Sequence, residues 1–148
     1  MPNPNPTPGR VRSLADNEIT MLLRDLASPV RLASLSPNGF PLISTLWFIY
    51  EDGLFWCITQ QRTLLRRNLA ANPRCAFEIS LDGQRFKLVR GQGIATLDLE
   101  EGGRVTERMI TRYLGDPNGS VAVAMRAQIP TEYAIAIRPL WVRGQGAG

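Results

Sequence analysis

At 148 residues and 16.4 kDa, with 44% hydrophobic and 20% charged residues, the chain is sized for one compact domain with a real core. It holds no histidine, and its two cysteines form no paired motif, which excludes zinc ligation, His-ligated haem and Ser-His or Cys-His nucleophile pairs. Net charge is +4 and all but one of the basic residues are arginine, the side chain suited to a bidentate grip on phosphate; an anionic ligand and a merely basic surface both fit that balance.

No apolar run approaches the roughly twenty residues of a membrane helix, and no basic start followed by an apolar stretch marks a signal peptide, so no membrane association and a cytoplasmic location are expected. An enzyme of this composition needs a borrowed cofactor for its chemistry.

Residues 1–12 begin with alternating prolines and read as a disordered arm. A single domain is expected over residues 13–143, with 144–148 as a flexible tail. Over 16–27, Ile19, Leu22, Leu23 and Leu26 recur at helical spacing behind an Asp16 N-cap, with Pro29 beyond the end. That predicts an amphipathic helix laid on the body. A first strand follows over 30–36, closed by the turn Pro37-Asn38-Gly39.

Residues 42–50 and 54–59 read as strands joined by Glu51-Asp52-Gly53, where Asp and Gly tolerate the positive φ of a tight turn. Alternation places Thr45, Trp47 and Ile49 on one face and Leu46, Phe48 and Tyr50 on the other. Bulk on both faces demands cover on both. One face fills the inside of a small barrel. The other needs a flat ligand, a second subunit, or both.

A short helix over 63–71 is stopped by Asn72-Pro73. Cys75, Phe77, Ile79 and Leu81 then alternate with Arg74, Ala76, Glu78 and Ser80, a half-exposed strand; Cys57 and Cys75 read as free buried thiols. Asp82-Gly83 turns the chain into a long strand over 85–98, where Gly91 and Gly93 suggest a bulge or a close backbone approach. A second helix spans 100–114, with Val105, Met109, Ile110 and Tyr113 on one side. Residues 116–128 are ambiguous between loop and helical turn, and 132–142 form the last strand. Six strands with flanking helices and no βαβ alternation predict a mainly β (α+β) fold, a six-stranded antiparallel barrel without internal repeat.

Thr59, Arg62, Thr63, Arg66 and Arg67 surround the start of the short helix. Helix starts offer unpaired N–H groups and partial positive charge, a seat for phosphate, with Thr hydroxyls and Arg62 as further donors. The competing reading is that Thr63 only caps the helix and the arginines form a solvated face. Trp47, Phe48 and Trp56 either flank a planar heterocycle or pack as core or dimer interface.

In order and spacing, these motifs resemble those of the pyridoxamine-phosphate-oxidase-like flavin-binding split barrels, over residues 14–143. Asn38-Gly39-Phe40-Pro41, Leu46-Trp47-Phe48 and Asp52-Gly53 match the family's G-x-P, apolar strand and turn. Thr59, Arg66-Arg67-Asn68-Leu69 and Asn72-Pro73-Arg74 match its T…x-R-N-L-x-x-N-P-R run. Val89-Arg90-Gly91-Gln92-Gly93 resembles its V-x-x-x-G strand, and Ile137-Arg138-Pro139 its closing I-x-P.

The resemblance implies a split barrel that binds FMN as a homodimer, each flavin held between subunits. Backbone groups of Ser44, Thr45, Leu46, Trp47 and Phe48 would meet the isoalloxazine edge. Thr59, Arg62, Thr63 and Arg66 would meet the phosphate. The phosphate oxidases proper open this helix with Ser-Arg-Lys, whereas the matching positions here are Thr63, Leu64 and Leu65. Oxidation of pyridoxamine phosphate itself is therefore not expected. The family also includes binders of a reduced deazaflavin coenzyme, the alternative cofactor.

The resulting expectation is a flavin-dependent oxidoreductase acting on a small planar substrate. Its alternatives are a deazaflavin-dependent reductase and a flavin-binding protein without catalysis. A nucleic-acid or acidic-partner binder using Arg62, Arg66, Arg67 and Arg74 fits less well, because few basic residues alternate with the strand aromatics.

Overall fold

The computed structural model describes residues 11–25, 27–81 and 87–147. The arm over residues 1–10, Leu26 and the Asp82-Gly83 turn lie outside them. The strands are β1 (Val11–Ser13), β2 (Val30–Leu35), β3 (Pro41–Leu46), β4 (Ile49–Glu51), β5 (Leu54–Gln60), β6 (Arg74–Leu81), β7 (Lys87–Asp98) and β8 (Glu132–Ala147). Helices α1 (Asp16–Asp25), α2 (Leu64–Ala71), α3 (Gly102–Tyr113) and α4 (Ser120–Ala127) pack around them. The strands form one antiparallel sheet in the order β3-β2-β6-β7-β8-β5-β4, with β1 also on β8. Curled around a common apolar interior, this is the split β-barrel expected, mainly β with short flanking helices.

Eight strands are present among the described residues rather than the expected six. The predicted strand over 42–50 is broken at Trp47 and Phe48 into β3 and β4, and β1 is additional. The expected tail is also corrected. β8 continues to Ala147, paired with β7 and with β1, so residues 144–147 and Val11–Ser13 belong to the sheet. Gly144 accepts a backbone hydrogen bond from Leu14 at 2.9 Å. The Gly-Gln-Gly run has little strand propensity of its own; the neighbouring strands impose the conformation. Residues 116–128 resolve into α4, followed by a 3-10 turn at Ile129–Thr131.

The hairpin turn is as expected, with Asp52 at φ 57° and Gly53 at φ 74°. Register shifts between Gln92 and Gly93, which pair with Trp141 and Pro139 and leave Leu140 as the extra residue. Gly91 faces inward where a Cβ would lie 2.3 Å from the Trp141 carbonyl oxygen, so the backbones meet at a distance only glycine allows.

Two apolar clusters follow from the alternation along β5. Phe55 and Cys57 face the barrel interior with Leu32, Phe48, Phe77, Ile79, Val89, Ile135 and Ile137. Trp56 and Ile58 face outward, beneath α3, with Ile49, Val105, Met109 and Ala134. Both cysteines are free and buried.

Candidate functional site

β5 ends at Gln60 and α2 begins at Leu64, with Thr63 as its N-cap in extended conformation. The Thr63 hydroxyl accepts from the Arg66 N–H at 3.1 Å and donates to the Gln60 carbonyl at 3.1 Å. Thr59, buried on the inward face of β5, places its hydroxyl 2.7 Å from that of Thr63. The two hydroxyls are thus hydrogen-bonded to each other at the base of the helix mouth. Capping is what Thr63 does.

Arg66 is committed as well. Its Nε donates to the Gln61 carbonyl at 2.5 Å, and its guanidinium lies 5.9 Å over the Tyr133 ring. Two kinds of group, backbone N–H and guanidinium, remain at the mouth of α2. The N–H groups of Leu64 and Leu65, first in the helix, have no partner among the described residues. The Arg67 side chain is exposed and makes no ion pair or hydrogen bond among the described residues, and the same holds for Arg62. Arg62 lines a cleft of about 310 Å³ with Gln60, Gln61 and Thr131. Leu64 is 61% exposed beside it, while Leu65 is buried in the barrel.

Behind this cleft lies a polar cluster that the sequence pattern did not single out. Gln60 Nε2 donates to the Glu132 carboxylate and, at 3.2 Å, to the Gln128 carbonyl, while Thr131 Oγ1 donates to Gln60 Oε1 at 2.6 Å. Glu132 is buried, and burial holds its carboxyl above the ordinary range against the opposing pull of the Gln60 amide. A single Glu opening a strand carries no periodic signal, which is why only the fold reveals it.

The second part of the site lies on the other side of the β3–β4 break. Thr45, Leu46 and Trp47 line a cleft of about 400 Å³ with Pro29 and Ile58. β3 is an edge strand, so alternate N–H and C=O groups around Ser44, Thr45 and Leu46 point away from β2. One face of the Trp47 indole is stacked on Tyr113, ring centroids 4.7 Å apart and planes 2° from parallel. Of the three aromatic candidates only Trp47 borders this cleft.

Phe48 packs as core, one of the two readings open for the strand aromatics. Its ring is fully buried in the barrel interior, 6.0 Å from Phe55. Its backbone is occupied too: the N–H donates to the Tyr113 hydroxyl at 3.2 Å, which donates to the Phe48 carbonyl at 2.6 Å. The expected alternation survives the strand break: Leu46, Phe48 and Tyr50 join the barrel interior, while Trp47 and Ile49 join the outer cluster. Trp56 is half-buried beneath α3, with the Arg104 guanidinium 4.7 Å over its ring.

Ile58 borders the apolar cleft and Gln60 the polar one. Two residues apart, they share one face of β5 and stand about 7 Å from each other along the strand. An apolar slot with an edge of free backbone groups therefore adjoins a mouth of helix N–H groups lined by the Arg62 guanidinium. The pair suits a flat molecule with an anionic tail. Among the described residues no titratable side chain lines the apolar cleft.

No protein-family profile and no curated protein matches the sequence. Solved structures do match in fold. An F420 reductase superposes with a TM-score of 0.66 at 22% identity, over 81% of this chain and 92% of the other. An FAD-binding protein from Mesorhizobium loti gives 0.70 at 19% identity, over 95% and 98%. A putative pyridoxamine 5'-phosphate oxidase from Listeria innocua gives 0.65 at 17%, over 86% and 94%.

Proposed function

We propose that this chain, whose fold is the split β-barrel of the pyridoxamine 5'-phosphate oxidase-like proteins, is a flavin-binding oxidoreductase that holds FMN between two copies of itself and acts on a small planar substrate. The observation that carries the reading is the adjacency of the two clefts along β5: an apolar slot beside a polar helix mouth matches a ring with a phosphate tail. The names of the superposed structures, one FAD-binding and one a reductase, point the same way.

The free edge of β3 at Ser44, Thr45 and Leu46 would hydrogen-bond the polar rim of the ring, and Trp47 with Ile58 would cover its apolar part. Arg62 and the N–H groups of Leu64 and Leu65 would hold the phosphate, with the partial positive charge of the helix start behind them. When bound, the flavin supplies the hydride acceptor and donor that no side chain here provides. The protein's part is to position the ring, keep water from one side of it and leave the other side open for substrate.

The homodimer rests on the outer face of the sheet. Two clefts of about 330 and 360 Å³ share Ala33, Ala76 and Gln92, between the exposed Ile43 on one side and Leu140 and Trp141 on the other. Such an apolar patch with an arginine rim at Arg31, Arg74 and Arg90 suits a second copy. Among the described residues no helix is long and apolar enough to cross a membrane, and a cytoplasmic location belongs to the same reading.

One observation favours a deazaflavin coenzyme as the second reading. Leu64, 61% exposed at the first turn of α2, stands where the phosphate oxidases carry a base, and an F420 reductase is among the structures that superpose on the chain.

Melting the protein with FMN and with the deazaflavin coenzyme separates the two. A ligand at a hundred times its Kd stabilises by about 2.7 kcal/mol, so the true cofactor raises the Tm and the other does not. Turnover of NADH or NADPH with an artificial acceptor distinguishes an enzyme from a flavin-binding protein without catalysis. Failure of both ligands to shift the Tm overturns the reading.

A further inference from the structure

We infer that Tyr113, the last residue of α3, is the positioning residue of the ring slot, and that its hydroxyl rather than the sheet sets the geometry of the Thr45–Trp47 segment. This rests on the reading of the apolar cleft as a ring site and goes beyond it, because Tyr113 lines neither cleft.

The chain leaves ladder pairing after Leu46 and resumes it at Ile49. Between them the Phe48 N–H and C=O would be buried without strand partners, a cost that backbone polar groups do not bear uncompensated. One hydroxyl satisfies both, accepting from the N–H at 3.2 Å and donating to the carbonyl at 2.6 Å. The phenol ring lies flat against Trp47 at 4.7 Å and 2°, so the same side chain fixes the backbone break and the plane of the indole that walls the cleft.

Tyr113 is itself held firmly. The Arg112 guanidinium lies 5.8 Å over its ring and 5.9 Å over that of Phe48, and donates to the Arg24 carbonyl at 2.6 Å and the Leu23 carbonyl at 3.3 Å. Met109 and Val105 fix α3 against the outer apolar cluster. Burial also keeps the phenol above its ordinary range, and therefore protonated and able to donate.

The test uses Tyr113→Phe, which keeps the stacking ring and removes only the hydroxyl, with Tyr113→Leu as the variant that loses both. Affinity for FMN and for riboflavin is measured by quenching of flavin fluorescence, and amide hydrogen exchange at Phe48 is measured without ligand. Tyr113→Phe is expected to speed Phe48 exchange and to weaken FMN and riboflavin alike, by about tenfold. Equal loss for both ligands marks the ring slot; a phosphate effect would fall on FMN alone. Tyr113→Leu should weaken both further and change the near-ultraviolet circular dichroism of Trp47. Unchanged affinities in Tyr113→Phe, with the unaltered protein binding FMN, overturn the role of Tyr113 and leave the flavin reading standing. Absence of binding by the unaltered protein of FMN and of the deazaflavin coenzyme alike overturns the ring-site reading, and the role of Tyr113 with it.

Discussion

The hydroxyl oxygens of Thr59 and Thr63 lie 2.7 Å apart, so an inward-facing residue of β5 closes the N-cap of α2 from inside the barrel. Thr63 therefore holds the helix mouth in place as its cap. Thr63→Ala should destabilise the ligand-free protein by about 1 kcal/mol, roughly 3 °C in Tm, whereas Thr63→Ser should be near neutral. Thermal unfolding without ligand checks this. Full stability in Thr63→Ala would mean that its hydroxyl is not the cap.

Arg62 lines that mouth and has no other partner among the described residues. Arg62→Ala should weaken FMN by about tenfold or more, the scale of a charge-assisted hydrogen bond, and leave riboflavin almost unchanged. Titration of both flavins against the variant measures the difference. Equal losses would show that Arg62 does not meet the phosphate.

Gly102 opens α3 directly against the start of β8. A Cβ there would stand 2.0 Å from the Glu132 carbonyl oxygen, a backbone atom that cannot yield without disturbing the β5–β8 pairing. Gly102→Ala should cost about 2 kcal/mol or more, while Gly103→Ala, which meets only the Ile129 side chain at 3.3 Å, should cost far less. Urea unfolding of the two variants provides the comparison.

Glu132 gives the protein a pH dependence of definite sign. Its folded-state carboxyl is held above the unfolded value, first by burial. The stability it contributes is complete below the unfolded carboxylate range and is lost as pH rises through the folded value. Glu132→Gln removes the buried charge and should be more stable than the parent at about pH 7, the two converging near pH 4. Urea midpoints across that range test it. A variant less stable at neutral pH would mean that the ionised carboxylate is favoured in place.

Much of the fold was legible because its strands obey a period of two: β6, with Cys75, Phe77 and Ile79 inward, reads directly from the sequence. The turn at Asp52-Gly53 and the cap at Thr63 were legible for the same local reason. The break at Trp47–Phe48 was not, because the group that satisfies its backbone is a hydroxyl 65 residues away on α3. Nor was the extension of β8 through Gly144, whose conformation is imposed by β7 and β1. In the site, residue types pointed to the mouth of α2, but only the geometry separates Arg62, which is free among the described residues, from Arg66, which is spent on Gln61 and Tyr133.

The most direct test is the visible absorption spectrum of the purified protein after saturation with FMN and removal of unbound flavin by gel filtration. The account predicts a yellow protein carrying about one flavin per chain, eluting at twice the mass of one chain, its absorption bands altered by the apolar slot. A colourless protein eluting as a single chain, after the same treatment with FMN and with the deazaflavin coenzyme, would contradict it.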